Sequence, residues 1–176
     1  MRHCISAWQM AGVVFTSVLG TFLHFLFDLT GGSVTAALVS AVNESIWEHM
    51  KLLYYPMLIF SYLEYRAWGN QREDFWQVKL AGTALGLWLI PVLYYTYTGA
   101  LGISADWFNI TIFFLAAMAA YRLETALFRR ERKPSISSAA ALALLLGLGG
   151  VFTLLTFYPP RLPFFRDPLT GTYGYR

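Results

Sequence analysis

A single cysteine in 176 residues, Cys4, leaves the chain without an internal disulfide and without the thiolates of a structural zinc or iron–sulfur site. Charge is scarce as well. Only 13% of residues are Asp, Glu, Lys or Arg, against roughly 25% in a soluble domain, too few to cover a water-facing surface. Nor does one sign dominate: 13 Lys and Arg against 10 Asp and Glu leave +3, which excludes a nucleic-acid-binding face. Internal repeats are missing too, which argues against an inverted-repeat transporter. What the chain has in abundance is apolar surface: 57% hydrophobic and 18% aromatic residues, with mean hydropathy +0.49. One integral membrane domain follows from these proportions.

About 20 apolar residues are needed to cross the hydrocarbon layer as a helix. Segments 3–27, 80–105 and 134–160 contain no Asp, Glu, Lys or Arg, and each is long enough. Segments 43–66 and 107–128 carry charges only towards their ends. The expected fold is an all-α bundle of five transmembrane helices near 5–28, 43–66, 79–98, 106–128 and 137–158, followed by an irregular tail over 159–176. The first apolar stretch is too long for a signal-peptide core and lacks a small-residue cleavage site, so it is expected to be retained. Arg2, Arg66, Arg72, Lys79, Arg122, Arg129, Arg130, Arg132 and Lys133 fall on one side of such a bundle, and only Lys51, Arg161, Arg166 and Arg176 on the other. The positive-inside rule then gives N-in, C-out, with Tyr94, Tyr95, Tyr97 and Trp107 as an outer aromatic belt. The uncharged stretch 29–42, with Gly31-Gly32-Ser33, is too short to span. It is expected to be re-entrant or interfacial, with a cavity beside Glu44 to cover its irregular backbone.

Ionisable residues at membrane depth mark functional sites. On the first helix Gly12, Thr16, Gly20, His24 and Asp28 recur every four residues, and the small ones admit a neighbouring helix that would turn His24 and Asp28 into the bundle. The densest polar stretch is Val42-Asn43-Glu44-Ser45-Ile46-Trp47-Glu48-His49-Met50-Lys51. On a helix starting at Asn43, Glu44, Glu48 and Lys51 form one stripe, and Ser45 and His49 a second. Capping by Asn43 and an i,i+3 pair between Glu48 and Lys51 would account for part of it. Two acids, a His, a Lys and a Trp at the head of one helix exceed what capping requires. In the tail, Asp167-Pro168 and Gly171 mark a turn that would fold over the outer mouth and bring Arg161, Asp167 or Tyr173 to the site.

The motif from Val42 to Lys51 resembles that of an uncharacterised family of small, multi-span bacterial membrane proteins. That family is similar in having a His near the end of its first span and an Asp-Pro-x-Thr-Gly-x-Tyr-Gly ending, here His24 and Asp167 to Gly174. Phe27-Asp28-Leu29 departs from the aromatic-Glu-aromatic pattern, which weakens the assignment of Asp28. The resemblance implies the plasma (inner) membrane of a bacterium and implies no activity.

Two functions fit the residues. In a membrane enzyme open to the outside, Glu44, Glu48, His49 and Lys51 would be the catalytic group. His24, Asp28, Asn43, Trp47, Asp167 and Tyr173 would bind, and His24, Glu44 and Glu48 would hold a divalent metal such as zinc or manganese. Its substrate would be membrane lipid or a lipophilic small molecule. In a transporter, channel component or binding subunit, Glu44 and Glu48 would instead attract a cation or an amine, in a homodimer or a larger membrane complex. A structural reading has the polar cluster docking a membrane partner.

Overall fold

The computed structural model describes residues 2–130 and 135–175. Arg132, Lys133 and Arg176, counted above in the charge bias, lie outside them. Six α-helices follow in chain order: α1 (Arg2–Leu29), α2 (Val34–Ala37), α3 (Ile46–Ala67), α4 (Phe75–Leu101), α5 (Asp106–Phe128) and α6 (Ser138–Phe157). Short 3-10 turns sit at Gly69–Gln71 and Pro163–Phe165. Among the described residues, four helices are long and apolar enough to cross a membrane: Ile5–Leu29 of α1, then α4, α5 and α6. The chain is an all-helical protein with the composition of a multi-pass membrane protein.

The fifth long helix, α3, has 22 residues but carries Glu48, Lys51, Glu64 and Arg66. It tolerates them because it is the buried centre of the bundle, packed against α1, α4 and α6. Leu53, Tyr54 and Met57 are fully enclosed there. Pro56 lies inside α3 and cannot donate to the Leu52 carbonyl one turn back. That carbonyl meets α1 at Gly20, where a Cβ would sit 2.6 Å from the oxygen, so only glycine lets the helices close over it. Met10, Val14, Val18 and Phe22 point the opposite way and are more than half exposed, a stripe suited to lipid.

Among the boundaries that move relative to the sequence expectation, two bear on buried charges. Helix α3 begins at Ile46 with Ser45 as its N-cap, accepting from the Glu48 N–H, while Asn43 Oδ1 accepts from the Ser45 N–H at 2.9 Å. Asn43 is therefore a turn residue before the cap, and Glu44 stands off the helix. Helix α4 begins at Phe75, which places Lys79 inside the bundle with no exposed surface. The segment between α1 and α3 turns at Gly31 and Gly32, both at positive φ (65° and 79°), makes the single turn α2, and continues irregularly to Ser45.

Candidate functional site

One end of the bundle gathers the end of α1, the 30–45 segment, the start of α3, the α4–α5 connection and the tail. There His24, Glu44 and His49 each offer one ligand atom, and the three atoms lie within 4.8 Å of one another. Glu44 Oε2 is 3.3 Å from His49 Nε2 and 4.0 Å from His24 Nε2. The imidazoles meet edge to face at 5.3 Å between centroids. His49 Nδ1 lies 3.0 Å from the Ser45 carbonyl oxygen. A carbonyl only accepts, so Nδ1 carries the hydrogen and Nε2 is left to face Glu44, with a lone pair when the ring is neutral. When the ring is protonated, Nε2–H donates to Glu44, and this hydrogen bond holds the Glu44 carboxyl below the usual carboxylate range, against the opposing effect of partial burial.

Glu44 and His49 also line a cavity of about 260 Å³. It is lined as well by Ser104, Asp106 and Asn109 of the α4–α5 corner, by the apolar Ile90, Ile112 and Phe113, and by Pro168 and Leu169 of the tail. Asn109 is fixed by Tyr97 of α4, whose hydroxyl donates to Asn109 Oδ1 at 2.5 Å. The sequence pattern singles out neither Ser104 nor Asn109, and Asp106 enters it as one of five acidic residues on the outer side, with Asp28, Glu44, Glu48 and Asp167. An Asn beside Asp106 in the first turn of a helix that is apolar from there to Tyr121 is the available signal.

The other expected residues separate from this group. Glu48, only 1% exposed, is bonded on both oxygens: Oε1 accepts from Thr156 at 2.8 Å, and Oε2 faces Lys51 Nζ at 2.7 Å and the Val42 N–H at 3.2 Å. Lys51 is fully buried, and its three N–H groups go to Glu48, the Ala37 carbonyl at 2.9 Å and Thr156 at 3.0 Å. Thus the structure groups His49, not Glu48, with His24 and Glu44. Asp28 is exposed and stands outside the group. Trp47 packs its indole against Phe152 at 4.6 Å and Phe165 at 5.0 Å, in the core.

The tail is ordered over this end. Asp167 is buried and keeps its carboxylate within its own turn, accepting from the Leu169 N–H at 2.8 Å and the Thr170 hydroxyl at 2.6 Å. Asn43 Nδ2 donates to the Gly174 carbonyl, the Tyr175 N–H to the Thr156 carbonyl, and the Tyr175 hydroxyl to the Gly32 carbonyl. Tyr173 is half-buried against the core and Arg161 is exposed. Of the tail residues it is therefore Pro168 and Leu169 that line the cavity, while Asn43, Asp167 and Gly174 hold the lid they sit on.

The chain belongs to DUF6512, a family of unknown function, whose model matches residues 2–175. No curated protein and no solved structure matches it.

Proposed function

We propose that this member of DUF6512 binds one divalent metal ion through His24, Glu44 and His49 and uses it on a small or lipophilic substrate held in the adjoining cavity. The observation that carries the reading is the convergence of those three ligand atoms at the edge of that cavity. Tetrahedral zinc spaces its ligand atoms about 3.3 Å apart, which matches the Glu44–His49 separation, and the Glu44–His24 separation of 4.0 Å would close towards it. Two imidazoles, one carboxylate and no thiolate suit zinc or manganese, and three protein ligands leave a position for water or substrate. Bound there, the metal would supply an activated water or polarise a carbonyl or phosphoryl oxygen. The chain's own part is orientation. The Ser45 carbonyl fixes His49, Asn109 and Asp106 offer polar anchors in the cavity, and Ile90, Ile112 and Phe113 give it an apolar lining.

In this reading α3 is the central member of five spans and the cavity faces outside the cell. Lys51 and Lys79 are buried in ion pairs and drop out of the rim count. The positive-inside bias survives without them, with Arg66, Arg72, Arg122, Arg129 and Arg130 at the inner rim and Arg161 and Arg166 at the outer.

The test is turnover of p-nitrophenyl esters and phosphoesters by protein in vesicles, with zinc or manganese added. Metal-stimulated hydrolysis that His49→Ala abolishes is the expected result. Metal binding without turnover, together with cation flux that Glu44→Gln stops, would overturn it in favour of transport.

A further inference from the structure

The opposite end of the bundle holds a second group of ionisable side chains, deeper than the first. Glu64 of α3, Lys79 of α4 and Glu124 of α5 have no exposed surface, and Gln9 of α1 has 3%. Lys79 Nζ is ion-paired with Glu64 Oε2 and, at 2.5 Å, with Glu124 Oε2. Gln9 Nε2 donates to Glu64 Oε1 at 2.6 Å. Four helices thus meet at one lysine. The site is built for close approach: a Cβ on Gly82 would overlap the Glu124 side chain.

Two carboxylates around one ammonium leave an uncompensated negative charge. Among the described residues the surroundings offer no second cation. Lys79 is enclosed by the rings of Phe75, Tyr121 and Phe128 at 5.4–5.6 Å. The Tyr121 hydroxyl is hydrogen-bonded to Thr16. Arg72, over the far ring of Phe128, is in a two-bond pair with Asp74. Helix α6, packed on α4, has no charged residue, and α1 has none between Ile5 and Phe27. The hydrogen bonding is unbalanced in the same sense. Glu124 Oε1 and Gln9 Oε1 are both buried acceptors without a hydrogen-bond donor. A net charge and unpaired acceptors in an apolar bundle are both relieved by one added hydrogen.

We propose that Glu64 and Glu124 hold one proton between them, making this cluster a proton-binding site inside the bundle. The ligand is a hydrogen ion, taken as the hydrogen of a carboxylic acid, with Lys79 keeping its own positive charge. The site is neutral with the proton bound and negative without it. It lies away from the His24–Glu44–His49 group and does not depend on the metal reading.

Infrared spectroscopy of the purified full-length protein at neutral pH tests it. The expected result is the C=O stretch of one protonated carboxylic acid per chain, shifted by deuterium exchange. Glu124→Gln and Glu64→Gln each leave a balanced one-to-one pair with Lys79, so either change should remove the band while the protein stays folded. Lys79→Met should strengthen the band, because both acids must then be neutral. If that variant does not fold, the wild-type band and the two Gln variants still decide. No acid band in the wild type, a band that survives both Gln changes, or a band that sodium ions remove would overturn the proposal. The last outcome would make the site one for a metal cation.

Discussion

Glu44 and Glu48 stand four residues apart in one short motif, and the fold gives them opposite surroundings. Glu44 precedes the N-cap, is 39% exposed and shares its carboxylate with two imidazoles beside a cavity. Glu48 is inside the first turn of α3, and both its oxygens and all three N–H groups of Lys51 are matched. One half of the motif has spare lone pairs and room beside them. The other half is a closed network that ties α3 to the segment before it, to α6 through Thr156, and through the Thr156 carbonyl to the tail. A binding site must be left incomplete, whereas a buried structural pair must be complete. The Gln9–Glu64–Lys79–Glu124 group is as buried as the Glu48–Lys51 pair but is incomplete, which is why it and not the pair calls for a further ligand.

The comparison is broken most forcefully at Lys51. Lys51→Met strands the Glu48 carboxylate in the core and should lower stability by about 3–5 kcal/mol, read as loss of thermal unfolding temperature in detergent. Adding Glu48→Leu should recover part of that loss but not all, since the Ala37 carbonyl and Val42 N–H stay without partners. Full recovery would mean that the network contributes no specific bonding. From the tail side, Gly174→Ala should cost about 1–3 kcal/mol, because Gly174 has φ 59° and a Cβ there meets the Thr156 carbonyl and lies 2.7 Å from Pro159 Cγ. Proteolysis of the tail is a second readout of that change.

Changes at the open half should behave differently. His24→Ala should alter metal-free stability by no more than about 0.5 kcal/mol, yet weaken zinc binding beyond the roughly 10–100-fold typical of losing a supporting bond. An equal loss of stability and of metal affinity would erase the distinction between the two halves. The smallest effect is the pH dependence of the metal-free protein. Since folding holds the Glu44 carboxyl below its ordinary value, its contribution is present above the ordinary carboxylate range and fades as pH falls through the folded value. With Glu44 39% exposed, solvent screening keeps that contribution under about 1 kcal/mol. Unfolding temperatures across acidic pH should therefore fall slightly more for wild type than for Glu44→Gln.

Much of the bundle was legible in uncharged length alone. Helix α5 starts and ends where expected and α6 falls within a residue of it, because Asp106 and Ser137-Ser138 punctuate long apolar runs. The start of α3 was harder, since Asn43 and Ser45 are both capping residues. Choosing the earlier one put Glu44 and Glu48 on a common stripe that the fold separates. Lys79 reads as an inner-side charge at the start of a helix because its partners, Glu64 and Glu124, are on other helices and no local pattern announces them. Gln9 gave no signal for the same reason. What sequence does show is that His24, Glu44 and His49 belong to one end of the bundle; their meeting depends on the turn at Gly31 and Gly32, which no periodicity encodes.

The central claim is that the open half of the motif holds a metal. The most direct measurement is metal content per chain after zinc loading and removal of free ion, in wild type, His49→Ala and Asp28→Asn. One zinc is expected in wild type and in Asp28→Asn, and none in His49→Ala. No bound zinc in the wild type, or an equal amount in His49→Ala, would contradict it.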